Sequence, residues 1–134
     1  MKSHPIHPAI VHFPIACWSL AVLADVASLH FGQAAWQYAG VLLAAGCAFG
    51  LLAAAAGLME ITRVPEGRPM DDAMWHMGLM LTAFCVFTGR LFVGFVDKSW
   101  AQPNTLAFIL DVTGFAVLML GGWMGGRLVY THGV

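Results

Sequence analysis

Four long apolar runs limit what this chain can become. They cover residues 10–29, 34–59, 73–96 and 105–120, the last continuing toward 128 through Gly121-Gly122 and Gly125-Gly126. A lipid hydrocarbon core about 30 Å thick needs about 20 helical residues rising about 1.5 Å each. Inside it, every backbone N–H and C=O must be satisfied within the segment, so runs of this length become helices. Composition agrees: 60% of the 134 residues are hydrophobic and 10% are charged, against roughly 25% charge in ordinary soluble domains. The expected fold is all-α, an integral membrane four-helix antiparallel bundle running up-down-up-down as one domain over residues 1–134.

The connections carry matching punctuation. Residues 30–34 make a short turn, and 62–69 form a polar loop with Pro65, Gly67 and Pro69. Asp71 and Asp72 stand at the expected start of the third helix, where negative charge suits the helix dipole. Residues 97–103 form a third loop, and Asn104 is placed to cap the fourth helix. Loops this short favour antiparallel neighbours. The first and third segments each carry a histidine near their start, a weak sign of repetition. Lys2 followed by residues 10–23 could imitate a signal peptide, but histidines and prolines make an unusual start for one. The expectation is an uncleaved first span.

This topology gathers the histidines. With four spans the N-terminus, the 62–69 loop and the C-terminus share one side. His4, His7, His12, His76 and His132 therefore collect at one membrane face, although three distant parts of the chain supply them; of the six histidines, His30 alone is at the other. Lys2, Arg63, Arg68 and Arg127 lie on the histidine side and Lys98 on the other, so the positive-inside rule places both termini in the cytoplasm of a multi-pass inner-membrane protein.

Histidine inside a span is a functional candidate because an unpartnered polar ring is costly there. Imidazoles from facing segments can bind a transition metal or the two axial positions of a haem iron. His12 and His76 are expected at similar shallow depth. The prolines at 5, 8 and 14 predict an extended entry lying over the bundle end and aiming His7 inward. Small residues run along the second span (Gly46, Gly50, Ala54, Gly57) and the fourth (Gly121, Gly122, Gly125, Gly126). Such stripes fit close helix packing, within the chain or across a homodimer. They would also suit a flat macrocycle, with Arg63, Arg68 or Arg127 beside its propionates. Glu60 is a candidate partner for a histidine.

The opening His4-Pro-Ile-His-Pro-Ala-Ile-Val-His-Phe-Pro-Ile and the ending Gly122-Trp-Met-Gly-Gly-Arg-Leu-Val-Tyr-Thr-His-Gly-Val resemble a bacterial family of four-helix membrane proteins of unknown function. The likeness runs nearly the whole chain. Its histidine pattern matches His7, His12, His76 and His132, and members resemble transmembrane b-type cytochromes. The resemblance implies one or two non-covalent haem b groups, with His12 and His76 as the deeper pair and His7 with His132 nearer the surface. It also implies electron exchange with a redox partner or quinone.

Asp25, Arg90 and Asp111 are the charges inside the spans, each about 6–10 Å below the opposite interface at 1.5 Å per residue. An arginine between two carboxylates is the economical arrangement in lipid, serving as a clamp, a proton route or a quinone contact. Trp18, Trp36, Trp75, Trp100 and Trp123 fit an aromatic belt, and Trp75 adjoins His76. Cys17, Cys47 and Cys85 are expected as small buried residues, and no CxxCH haem-attachment motif occurs. Six Lys+Arg and a net charge of −1 argue against nucleic acid. Two other functions compete with the cytochrome: a transition-metal site or transporter using the same histidines, and a structural subunit whose glycine faces bind other helices. No nucleophile–base arrangement identifies a catalytic site.

Overall fold

The computed structural model describes residues 6–133, with side chains from His7 onward; His4 lies outside the described residues. The chain forms α1 (Ile6–Ile10), α2 (His12–Phe31), α3 (Gln33–Glu60), a 3₁₀ turn (Ile61–Arg63), α4 (Arg68–Gly94), strands β1 (Phe95–Val96) and β2 (Ser99–Trp100), and α5 (Thr105–His132). Helices α2 to α5 are each long and apolar enough to cross a membrane. They form the expected up-down-up-down bundle.

Four local features differ from expectation. The proline-rich entry is helical rather than extended. Pro8 and Pro14 each occupy the third position of a helix, α1 and α2 respectively. First-turn N–H groups have no intrahelical partner, so proline loses little there. Pro14 cannot donate to the Ile10 carbonyl four residues back, which separates α1 from α2 by the single residue Val11, whose torsions stay helical. Helix α4 starts at Arg68 rather than near 73, with Pro69 in its first turn. The third loop contains a tight antiparallel hairpin pairing Phe95 with Trp100 and Val96 with Ser99. Asp97 and Lys98 turn it with φ of 50° and 63°, the two-residue geometry that suits the right-handed strand twist. Finally, Cys85 faces outward, whereas Cys17 and Cys47 are half-buried. Asn104 caps α5 as expected, its Oδ1 accepting from the Ala107 N–H at 2.9 Å.

The molecule is two helical hairpins, α2 on α3 and α4 on α5, packed together. Buried residues recur at alternating spacings of four and three: Pro14, Trp18, Ala21, Asp25 and Ser28 on α2, and Ala107, Asp111, Gly114, Leu118 and Gly121 on α5. That repeat keeps one seam inward and gives left-handed, coiled-coil-like packing.

The hairpins match position by position. Pro14, Trp18, Ala21 and Asp25 on α2 correspond to the buried Ala83, Phe87, Arg90 and Gly94 on α4. Ala39, Leu43, Gly46, Gly50, Ala53 and Ala56 on α3 correspond in order to Ala107, Asp111, Gly114, Leu118, Gly121 and Met124 on α5. Both hairpins enter the membrane from the same side, so the repeat is a parallel one, related by an axis along the membrane normal. At the centre, Trp18 stacks on its counterpart Phe87, ring centres 4.9 Å apart and planes 12° from parallel. Gly46 and Gly114 make room for these rings: a Cβ at either would sit 2.5 Å from Trp18 or 2.9 Å from Phe87. Trp18 is thus a core residue rather than part of an interfacial belt; Trp75 and Trp123 face outward near span ends as expected.

Candidate histidine-pair site

The same repeat builds the histidine site. His7 comes from α1, ahead of the first hairpin, and His76 from the third turn of α4 in the second. His7 Nδ1 meets the Ala53 carbonyl on α3 at 2.8 Å, 46 residues along the chain. His76 Nδ1 meets the Gly121 carbonyl on α5 at 2.8 Å, 45 residues along. Ala53 and Gly121 are counterparts. A carbonyl only accepts, so each Nδ1 carries the proton and donates it. Nε2 is then the lone-pair nitrogen of each neutral ring, the arrangement that orients a ligating histidine.

One turn beyond each carbonyl lies a glycine that the ring covers. A Cβ on Gly57 would sit 3.0 Å from His7 Cε1, and one on Gly125 2.9 Å from His76 Cε1. Any side chain there must move the imidazole. The glycines beside the histidines therefore seat the rings themselves rather than forming a bare wall. Gly122 lies on the outer face with no neighbouring atom within 4 Å.

Val11 keeps helical torsions (φ −59°, ψ −24°), its N–H donates to the His7 carbonyl at 3.0 Å and its carbonyl accepts from Ile15 at 3.3 Å, so α1 carries the line of α2 onward along α3. The His7 main-chain N–H donates to Glu60 Oε1 at 3.3 Å, so Glu60 does serve a histidine, through the backbone. The two rings face each other across the seam, centres 6.3 Å apart and planes 81° to one another.

The other predicted ligands stand elsewhere. His12 opens α2 on an exposed face, so the pair meeting at the seam is His7 with His76, not His12 with His76. The reason is helical spacing: His7 lies seven residues ahead of the buried Pro14 and shares its face, whereas His12 is five residues on from His7 and points outward. His132 is not beside His7 either: its Nε2 meets Asp72 Oδ2 at 2.9 Å. Asp72 also holds Arg127 at 3.0 Å, and Arg127 lies 5.4 Å from the Trp123 ring centre. This cluster ties the start of α4 to the end of α5. Trp75 is exposed and turned away from the seam. His30 is exposed at the far end, edge-on to Phe31.

Sequence reasoning joined His12 with His76 and His7 with His132, whereas the structure sets His7 beside His76. The missed signal was the matched pair of small residues one turn apart, Ala53/Gly57 and Gly121/Gly125, each serving one histidine.

The sequence matches a protein family described as "Predicted membrane protein (DUF2231)" over residues 3–134. The chain belongs to this family. No curated protein and no solved structure matches it.

Proposed function

We propose that this DUF2231 protein is a small membrane b-type cytochrome that holds one haem b between His7 and His76 and passes electrons between a membrane donor, such as a quinone, and a partner at the histidine face. The observation that carries the reading is the facing pair of imidazoles, each with Nδ1 committed to a backbone carbonyl. A metal-bound imidazole nitrogen sits about 2 Å from the ion, and the ring centre lies about 1.1 Å behind it, so two rings sharing one ion stand roughly 6 Å apart. The observed 6.3 Å fits. A tetrapyrrole asks the protein for two axial donors, whereas a zinc site asks for three or four. Among the described residues no group of three or more His, Cys, Asp or Glu gathers, which favours haem over a bare transition metal. When bound, the haem would supply the one-electron chemistry; the chain's part is to hold two imidazoles in fixed tautomers and surround them with apolar helix.

Arg63, Arg68 and Arg127 at the histidine face, against Lys98 at the other, orient that face toward the cytoplasm of an inner membrane.

The test is a visible spectrum of purified protein expressed with haem available, oxidised and then dithionite-reduced. Low-spin Soret, α and β bands are expected. They should be lost in His7→Ala and His76→Ala and kept in His12→Ala and His30→Ala. A colourless wild-type protein, or equal haem in all four variants, overturns the reading; in the first case a metal found by elemental analysis would support the transition-metal alternative.

A further inference from the structure

At the membrane face opposite the histidine pair, Asp25 of α2, Arg90 of α4 and Asp111 of α5 meet inside the bundle, 0%, 3% and 1% exposed. Arg90 Nε donates to Asp111 Oδ1 at 3.2 Å, and its terminal nitrogen donates to Asp25 Oδ2. That uses one oxygen of each carboxyl group. The others, Asp25 Oδ1 and Asp111 Oδ2, are buried with no hydrogen-bond partner, yet both carboxyl groups are gathered on the one Arg90 guanidinium.

Two carboxylates and one guanidinium leave one negative charge uncompensated. In a low-dielectric interior that charge is costly, and so are two orphaned acceptors. The surrounding elements do not compensate for either. Helix α3 presents Ala39 and Leu43 at this level, while its Tyr38 faces outward. On α2, Ser28 donates to the Asp25 main-chain carbonyl at 2.6 Å and not to the carboxyl. His30 of α2 and Asp97 and Lys98 of the hairpin are exposed. Nor does packing demand the triad. The counterparts of Asp25, Arg90 and Asp111 in the repeat are Gly94, Ala21 and Leu43, so the same seam closes with apolar side chains on its other half.

We propose that Asp25 and Asp111 together form a buried proton-binding site that holds one exchangeable proton on the membrane face opposite the histidines. The proton comes from water, forms an O–H bond to one carboxyl oxygen and is donated to the orphaned oxygen of the other. No electron moves. One proton neutralises the cluster and satisfies both oxygens. The inference is independent of the haem reading.

The experiment is infrared spectroscopy of the full chain in lipid nanodiscs at neutral pH. The wild type should show a protonated-carboxyl C=O stretch that shifts downward in D₂O. Asp25→Asn and Asp111→Asn should each abolish it, because the remaining carboxylate pairs one-to-one with Arg90. Asp72→Asn, at the other face, should keep it. Absence of the band in the wild type overturns the proposal without needing any variant to fold. Persistence of the band in both Asp25→Asn and Asp111→Asn, with helical content unchanged, also overturns it.

Discussion

Gly125 is the residue on which the site's geometry can be tested most directly. Helix α5 loses little by gaining a side chain, since glycine disfavours a helix interior by about 1 kcal/mol relative to alanine. The His76 ring, however, stands where the Cβ would go. Gly125→Val is therefore expected to leave helicity intact while displacing His76 from the Gly121 carbonyl, with haem per protein falling severalfold in a pyridine haemochrome assay. Gly122→Ala, on the open face of the same helix, should leave haem content unchanged. Asp72 offers a second residue-scale contrast. It joins His132 and Arg127, but Arg127 is 41% exposed, and partly exposed pairs contribute little. Asp72→Asn should cost about 1 kcal/mol of stability and leave the haem spectrum unchanged; loss of the spectrum would return His132 to the ligand set.

At the scale of elements, the short α1 is the least expected and the most consequential. It is set off from α2 only by the hydrogen bond that Pro14 cannot make, since Val11 between them stays helical. Pro14→Ala restores the missing N–H and is expected to fuse α1 and α2 into one helix with His7 still on the Ala53 carbonyl. Full haem retention with equal or greater helicity by circular dichroism is the predicted result; haem loss would show that the missing bond at Pro14 aims His7. The Trp18–Phe87 stack is the other element-scale device, joining α2 of one hairpin to α4 of the next. Water exclusion drives little between helices already in lipid, so van der Waals packing dominates. Trp18→Ala and Phe87→Ala should each destabilise by about 3–5 kcal/mol, with a coupling of about 0.5–1.5 kcal/mol in a double-mutant cycle. Steric-trap unfolding in bicelles would measure it.

For the whole molecule, the duplicated hairpin explains why the ends differ. Each repeat delivers one histidine to the seam, where the two imidazoles meet in matching contacts with backbone carbonyls. At the other face the repeats diverge, and there an arginine and two carboxyl groups meet in the interior. The positive-inside assignment is tested by single-cysteine labelling with a membrane-impermeant thiol reagent on a background lacking the three native cysteines. Lys98→Cys should label from outside intact cells and Arg68→Cys only after lysis; the reverse would invert the molecule.

The spans, their alternation, the face that gathers the histidines and the depth of Asp25, Arg90 and Asp111 were all legible in the chain. They follow from run length, loop length and residue counting, which lipid enforces because it offers backbone groups no other partner. Which histidines meet was not legible. His7 and His12 stand five residues apart on a stretch whose prolines argue against a helix; only its being helical, in line with the Pro14, Trp18 and Ala21 seam, and the carbonyls of Ala53 and Gly121 decide that His7 faces inward. The role of the glycines was equally hidden. A stripe of small residues specifies close approach, but whether a ring, a second helix or a cofactor fills the space depends on what the opposite hairpin presents.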